Sequence, residues 1–213
     1  MENQLPDASE VRNIIFDLGG VILHIDYHLT ADAFKRLGAA TFDDVYSQAS
    51  QSDLFDRLER GELNSEGFAR EVREVFNGDW TDRQIIDAWN AMLLELPMTR
   101  IHLLQEMKTR YRLFLLSNTN EIHLEGCRMM FDAAFGRRDL SHIFEKEYYS
   151  SLIGMRKPDR EVFDLIVDSH GLNKEETLFI DDSIQHVVGA RHAGLMGYHL
   201  EKGQEITEIF SGW

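Results

Sequence analysis

Short apolar runs alternate with segments in which apolar residues recur at helical spacing, and this alternation predicts an α/β protein. The first run, residues 11–16, is rich in β-branched side chains, as is typical of a buried strand in a parallel sheet. Later runs predict further strands at residues 112–116, 146–149, 177–180 and 196–200. Helical patterns separate most of these runs, so the chain predicts a doubly wound, Rossmann-like core with a mostly parallel sheet.

One long interruption separates the first predicted strand from the rest of the alternation. Between residues 26 and 96 apolar residues recur at helical spacing, and Thr81 and Gln84 have the form of a capping box. A run of helices of this length is too long for one crossover between parallel strands. We therefore predict an all-helical insertion at residues 26–96, an α/β core formed by residues 1–25 and 97–213, and a loose tail at residues 1–10.

The composition adds a strong negative charge to this picture. The 213 residues include 22 basic and 37 acidic side chains, which give a formal net charge of −15. This charge repels phosphate backbones and anionic lipid, so nucleic acid and membrane surfaces are poor candidates as partners. No signal peptide or membrane-spanning run is apparent, and the single cysteine, Cys127, allows no internal disulfide. We expect a soluble cytoplasmic protein, and the sequence does not indicate its oligomeric state.

Polar residues that could support chemistry follow the predicted strands. These residues are Asp17 after the first strand, Ser117 and Asn118 after the second, Lys157 in the loop after the third, and Asp181 and Asp182 after the fourth. Because the carboxyl ends of parallel strands meet at one edge of a sheet, we expect them to lie together. A small number of carboxylates, with space left for water and a substrate phosphate, is typical of a Mg²⁺ site. An aspartate beside a neutralised phosphate can act as a covalent nucleophile.

Four sequence motifs, in this order, resemble those of the haloacid dehalogenase superfamily. They are Ile-Ile-Phe-Asp17-Leu-Gly-Gly-Val, Leu-Leu-Ser117-Asn118, Met-Arg-Lys157-Pro-Asp and Leu-Phe-Ile-Asp181-Asp182-Ser. The helical insertion resembles the C1-type cap of that superfamily, and the details of the motifs resemble its bacterial α-D-glucose-1-phosphate phosphatase-like branch. The resemblance covers the chain from about residue 11 onward and implies a phosphatase that acts on a small phosphate ester.

The resemblance also implies a set of metal ligands. Asp17 would be both the nucleophile and a ligand of Mg²⁺, together with the backbone carbonyl of Gly19 and a carboxylate of Asp182. Asp181 would be the neighbouring acid, and the sequence leaves open which of the two adjacent aspartates contacts the ion directly.

Phosphate binding is implied for the second and third motifs. Ser117 and Asn118 would bind the phosphoryl group, and Lys157 would offset its charge and orient Asp17. Arg156 could also reach the phosphate or form a surface ion pair. The aromatic residue Trp89 could belong to the core of the insertion or line the substrate cleft.

Two positions depart from the pattern that the resemblance implies. Phosphatases of the superfamily carry a second aspartate two residues after the nucleophile, where it protonates the leaving oxygen; here that residue is Gly19. Metal-bound water, His24 or Asp26 could substitute, although His24 is better interpreted as a half-buried residue of the first loop. His186 stands where relatives tend to have Asp or Asn, and it could cap, pack, face solvent or weaken the metal site.

Three functions compete on this sequence. The favoured one is a Mg²⁺-dependent phosphomonoesterase for a sugar phosphate, acting through an aspartyl-phosphate on Asp17. A metal-independent 2-haloacid dehalogenase also lacks the second aspartate, but it has little use for Asp181 and Asp182 together. A catalytically impaired protein that binds phosphorylated ligands would explain Gly19, and a phosphoglucomutase-like phosphotransferase is less favoured. We expect the insertion to select the substrate and to move on a hinge near residues 25–27 and 96–98.

Overall fold

The computed structural model describes residues 3–46 and 53–213, and in these residues five parallel strands form one sheet. Their order across the sheet is β3-β2-β1-β4-β5. The strands are β1 Asn13–Phe16, β2 Arg112–Ser117, β3 Lys146–Tyr149, β4 Thr177–Asp181 and β5 Met196–His199. The central strands β1 and β4 are buried along their whole length, which suits a parallel sheet with both faces covered. The predicted parallel α/β core is confirmed.

Helices cover both faces of this sheet. The helices of the core are α6 Met98–Met107, α7 Glu121–Phe135, α8 Ser150–Ile153, α9 Arg160–His170, α10 Ile184–Ala193 and α11 Ile206–Ile209. Along β1, Ile14 and Phe16 pack on one side with α6, α7 and α11, whereas Ile15 packs on the other side with α9 and α10. This alternation of side chains along a strand is what distributes one short sequence between two hydrophobic layers.

A helical segment lies between β1 and β2 in the chain. Its described helices are α1 Tyr27–Leu37, α2 Phe42–Val45, α3 Asp53–Glu59, α4 Ser65–Phe76 and α5 Asp82–Trp89. They share a hydrophobic cluster of their own, in which Trp89 packs against Phe55 and Phe68. The capping box of Thr81 and Gln84 is present at the start of α5. The division of the chain at residues 26–96 remains a prediction, and residues 47–52 of that range lie outside the described residues.

The two passages that connect this segment to the core run side by side. Leu94 N–H donates to the carbonyl of His24, and His24 N–H donates to that of Glu95, both at 3.0 Å. An isolated antiparallel bridge between Ile25 and Leu93 continues the pairing. The segment is therefore joined to the core at one narrow place.

The amino-terminal residues differ from the predicted loose tail. Asn3 exchanges two hydrogen bonds with the backbone of His199, each of 2.8 Å, at the end of the edge strand β5. Asp7 and Glu10 form a capping box around a single 3₁₀ turn. The prediction was wrong for residues 3–10, because pairing with a strand almost two hundred residues away leaves no local pattern. No helix in the described part of the chain is long and apolar enough to cross a bilayer.

Candidate active site

Three strand ends meet at the carboxyl edge of the sheet. Asp17 directly follows β1, and its backbone N–H donates to the carbonyl of Ile180 in β4 at 2.9 Å. Asp181 is the last residue of β4, and Ser117 is the last residue of β2 on the other side of β1. Asp17 therefore lies between two neighbours that are a hundred or more residues away in sequence, at the point where the strand order reverses.

Lys157 joins the carboxylates of this edge. Its side chain is completely buried, and its Nζ donates to Asp17 Oδ1 and Asp181 Oδ2, both at 2.7 Å, and to the carbonyl of Leu116 at 3.0 Å. An ammonium group has three donors, so all three are used. Burial alone would lower the pKa of Lys157, but Asp17 and Asp181 raise it above its ordinary value. The lysine is therefore a fixed cation between two acids.

Asp181 is held on every side. Its Oδ1 accepts from Ser183 N–H at 2.8 Å and lies 3.0 Å from Nδ1 of His186, while Oδ2 accepts from Lys157. Burial opposes its ionisation, but Lys157 and His186 outweigh burial and hold the pKa of Asp181 below its ordinary value. His186, an unexpected residue at its position in the fourth motif, thus supports Asp181 directly.

Asp182 and Asp17 have the opposite electrostatic character. Burial and the charges of Asp17 and Asp181 raise the pKa of Asp182 to about 7, with Lys157 opposing them. Burial and Asp181 likewise raise the pKa of Asp17 to about 6, against the effect of Lys157. Crowded carboxylates of this kind are stabilised in their charged form by a divalent cation.

The donor set fits such a cation. One carboxylate oxygen from each of Asp17, Asp181 and Asp182 can be chosen so that all lie within 4.8 Å of one another. Gly20 leaves room for this arrangement: its φ is +76°, and a Cβ there would lie 2.2 Å from Oδ2 of Asp182. Hard oxygen donors in small number suit Mg²⁺. The carbonyl of Gly19 as a ligand remains a prediction, and Gly19 itself lines the same cavity.

The second motif has two distinct parts. Ser117 is buried at the end of β2 and lines the cavity beside Asp17. The side chain of Asn118 is engaged by the backbone of Lys157: Nδ2 donates to its carbonyl and Oδ1 accepts its N–H, both at 2.9 Å. Asn118 therefore fixes the loop that carries the lysine, and its backbone N–H is the group left for a ligand in the cavity.

The two side chains considered as substitutes for the missing acid are engaged elsewhere. His24 is 3.2 Å from Glu95 and lines a neighbouring cavity rather than the one that holds Asp17. Asp26 accepts from His28 N–H at 2.9 Å and caps α1. A Cβ on Gly19 would meet only the flexible end of Ile25, at 2.9 Å. Position 19 therefore has no side chain, and a Cβ there would require the end of Ile25 to shift.

Asp17 opens onto a cavity of about 270 Å³ that also reaches the helical segment. We call one side of the cavity the floor, formed by the lining residues Asp17, Ser117, Lys157 and Asp182 and by Asp181, which contacts Lys157. We call the opposite part the roof, formed by Tyr27, Tyr46, Asp56, Glu59 and Trp89. The size of the cavity is at the lower end for ligand sites, so it suits a small substrate.

Trp89 ties the roof to the core. Its indole N–H donates to Oδ1 of Asn120 at 3.3 Å, and the same oxygen caps α7 by accepting the N–H groups of Ile122 and His123. The His123 ring stacks on Trp89 at 4.8 Å, and burial lowers the pKa of His123 to about 4. Trp89 thus belongs both to the core of the helical segment and to the cavity lining. Cys127 also lines the cavity, where burial raises the pKa of its thiol to about 12.

For Arg156 the sequence suggested either a contact with phosphate or a surface ion pair. The structure shows ion pairs, but they are largely buried. The Arg156 side chain is only 17% exposed and pairs with Asp56 and Glu59 of α3 across the junction between core and helical segment. The sequence signal for this cluster was weak, because two acids three residues apart on a helix usually face solvent.

Most of the chain matches a known protein family. The model of the haloacid dehalogenase-like hydrolases matches residues 11–194. A D-ribitol-5-phosphate phosphatase from Bacteroides thetaiotaomicron is 29% identical over 206 residues, which cover 94% of this chain and 99% of that protein.

Two solved structures are similar to this chain over almost their whole length. An HAD family enzyme from Bacteroides thetaiotaomicron, a mutant in complex with magnesium and inorganic phosphate, is 30% identical with a TM-score of 0.87, over 94% of this chain and 98% of that one. A predicted HAD-like family hydrolase from Porphyromonas gingivalis is 32% identical with a TM-score of 0.84, over 95% and 97% of the two chains.

Proposed function

The chain belongs to the haloacid dehalogenase-like hydrolase family, and we propose that it is a Mg²⁺-dependent phosphomonoesterase acting on a small sugar or sugar-alcohol phosphate. The observation that carries this proposal is the cluster of Asp17, Asp181 and Asp182 around buried Lys157. Support also comes from the similar D-ribitol-5-phosphate phosphatase and from the similar enzyme that binds magnesium and phosphate.

In this proposal the metal is held by Asp17, the carbonyl of Gly19 and Asp182. Asp182 is the better direct ligand of the adjacent pair, because the oxygens of Asp181 are already engaged by Lys157, His186 and a backbone N–H. Mg²⁺ would supply positive charge that neutralises both the carboxylates and the phosphoryl group. Asp181 then acts by holding Lys157 in place.

The phosphoryl group is bound on the floor of the cavity. The hydroxyl of Ser117 and the backbone N–H of Asn118 donate to its oxygens, and Lys157 offsets its charge. Lys157 also holds Oδ1 of Asp17 through the 2.7 Å hydrogen bond, so the nucleophile is fixed before the substrate arrives.

Two displacement steps complete the reaction. A carboxylate oxygen of Asp17 attacks phosphorus, the bond from phosphorus to the substrate oxygen breaks, and the leaving oxygen takes a proton from solvent water to give the free alcohol. Water then attacks the phosphorus of the aspartyl-phosphate, which releases inorganic phosphate and restores the Asp17 carboxylate. No side chain at position 19 assists either proton transfer, and this assistance is typically worth about 10²–10⁴-fold in rate. We therefore expect slow turnover with poor leaving groups.

The helical segment has a distinct part in this proposal. Residues 26–96 act as a C1-type cap, which covers the site, admits the substrate and moves on the paired passages near residues 25–27 and 96–98. Membership of the α-D-glucose-1-phosphate phosphatase-like branch remains a proposal. It is supported by the absence of an acid at position 19, because a glycosyl phosphate has a good leaving group that needs little protonation. A cytoplasmic location likewise remains a proposal.

The test is hydrolysis of p-nitrophenyl phosphate, with and without Mg²⁺, by the native protein and by Asp17→Asn. We expect activity that requires Mg²⁺ and falls by at least about 10³-fold in the variant. Asp168→Asn, which changes an exposed carboxylate on α9, is the matched control and should keep native activity.

Other outcomes identify the competing functions. Chloride release from a 2-haloacid in the presence of chelator would favour the dehalogenase, whose metal-free site has no need of Asp182. Thermal stabilisation by inorganic phosphate without turnover of any phosphate ester would favour a binding protein. If neither variant nor native protein shows activity, Gly19→Asp is the next variant, since the first side-chain atom at position 19 meets the flexible end of Ile25 rather than backbone.

A further inference from the structure

Two acidic residues of helix α3 in the roof pair with one arginine of the core. Asp56 and Glu59 are one turn apart, and both contact Arg156, which directly precedes Lys157. Nη1 of Arg156 pairs with Oδ1 of Asp56, and Nη2 lies 3.0 Å from Oε2 of Glu59. All three side chains line the cavity that opens from Asp17.

The members of this group differ in exposure and charge balance. The Glu59 side chain is 13% exposed and that of Arg156 17%, whereas Asp56 is 38% exposed and also pairs with Arg60 at 3.0 Å. Asp56 is thus shared between two guanidinium groups, and Glu59 is the more buried of the two acids. A carboxylate has about four acceptor sites and can accept from several donors at once.

Glu59 and the lining residues of the floor face the same cavity, whose volume is about 270 Å³. Tyr27 lines this cavity too, and charges from both sides act on it: burial raises its pKa most, and Asp182, Tyr46, Asp17 and Glu59 raise it further. A cavity of this size places Glu59 within reach of a small substrate bound at Asp17. In the proposed function, a substrate with its phosphoryl group at Asp17 extends its carbon chain towards Glu59 in the roof.

The side chains of the roof determine which groups that carbon chain can carry. A carboxylate accepts hydrogen bonds from hydroxyl groups and repels a second phosphate or carboxylate group. The rings of Tyr46 and Trp89, packed 5.1 Å apart, present apolar surface beside it. We propose that Glu59, positioned by Arg156, is a specificity-determining residue that selects phosphate esters of short, uncharged polyhydroxy chains. This inference rests on the proposed function and names the substrate class of the same site.

The experiment compares three substrates on native protein, Glu59→Gln and Glu59→Asp. The substrates are p-nitrophenyl phosphate, which has no hydroxyl chain, D-ribitol 5-phosphate, and D-ribonate 5-phosphate, which carries a carboxylate at the far end. We expect Glu59→Gln to lower kcat/KM for the ribitol ester about 10- to 100-fold, as for loss of a hydrogen bond to a charged group, and to leave p-nitrophenyl phosphate within about twofold. The ratio of ribonate to ribitol activity should rise at least about tenfold.

Glu59→Asp separates charge from reach. It keeps the negative charge, so the ribonate ester should stay rejected, while the shorter side chain loses activity on the ribitol ester. The matched control is Asp159→Asn, which removes the 3.2 Å pair with Arg60 between the same helix and the same loop but lies outside the cavity lining. This control should leave all three substrates within about twofold, and melting temperatures confirm that each variant is folded.

The outcomes distinguish this inference from the function on which it rests. Equal loss on all three substrates in Glu59→Gln would assign Glu59 a structural role and overturn the inference. So would native protein that hydrolyses p-nitrophenyl phosphate but prefers the ribonate to the ribitol ester. Native protein that hydrolyses none of the three would instead overturn the proposed phosphatase function.

Discussion

The floor and the roof of the cavity are built from different parts of the chain and under different constraints. The floor collects residues that end parallel strands or follow them, and Lys157 binds its carboxylates through two 2.7 Å contacts. The roof collects residues from helices, and its aromatic rings belong to a separate hydrophobic cluster. Because only the floor is tied to the sheet, a change there should affect every substrate. A change in the roof should alter selectivity or stability instead.

The largest expected effect lies within the floor, between its two adjacent aspartates. Asp181→Asn removes a buried partner of Lys157, and we expect the free energy of unfolding to fall by about 3 kcal/mol. Asp182→Asn should change it by less than about 1 kcal/mol or increase it, because burial makes the charged form of Asp182 unfavourable. Urea denaturation in the presence of chelator measures both, and an equal loss would contradict the distinction. Both variants should lose Mg²⁺-dependent hydrolysis.

The next effect concerns the glycine against which Asp182 packs. A Cβ at Gly20 would lie 2.2 Å from Asp182 Oδ2, so Gly20→Ala displaces that carboxylate. We expect about 100-fold less hydrolysis and a weaker response to Mg²⁺. Gly154→Ala is the control: its φ of +69° is similar, but a Cβ there meets nothing within 4 Å. It should reduce stability by about 1 kcal/mol and keep full activity, which an equal loss of activity would refute.

The junction between roof and core predicts an effect on stability. Asn120→Ala removes the cap of α7 and the partner of the Trp89 indole together, and we expect a loss of about 2 kcal/mol in the free energy of unfolding. Asn64→Ala removes an exposed cap, on α4, and should reduce stability by about 1 kcal/mol. If thermal or urea unfolding gave the same loss for both, the bond to Trp89 would contribute nothing.

The smallest expected effect concerns the histidine behind the floor. His186→Ala removes the contact of 3.0 Å with Asp181, and we expect about a tenfold loss of kcat/KM on p-nitrophenyl phosphate with a higher Mg²⁺ requirement. His186→Asn should recover part of the loss, since an amide can also donate to Asp181. His192→Ala, at an exposed position on the same helix, is the control, and a similar loss in it would remove the special role of His186.

The floor could be predicted because each of its residues has a local signal. Asp17, Ser117 and Asp181 stand at the ends of apolar runs, and the rule that such ends meet needs no knowledge of the helices. The observed strand Lys146–Tyr149 also has the predicted bounds. What the pattern missed is the direction of side chains. The sequence did not show that both ends of the Asn118 amide contact the backbone of Lys157, and the binding of phosphate by Asn118 remains a prediction.

The roof could not be predicted in the same way. Glu59 and Arg156 are almost a hundred residues apart, and acids on an amphipathic helix give no sign that the core will cover them. The same limit applies to Asn3, whose partner lies at the opposite end of the chain. Contacts made by one side chain between distant elements depend on how those elements dock, which hydrophobic periodicity does not specify.

Retention of Lys157 and retention of Asp182 would have different meanings in proteins that diverge from this chain. The lysine holds two buried carboxylates, so a descendant that had lost its chemistry would still be selected to keep it for folding. Asp182 brings a carboxylate to a place where burial disfavours its charge, and only use of the site preserves it. Retention of Asp182, rather than of Lys157, is therefore the better sign that such a descendant has remained an active enzyme.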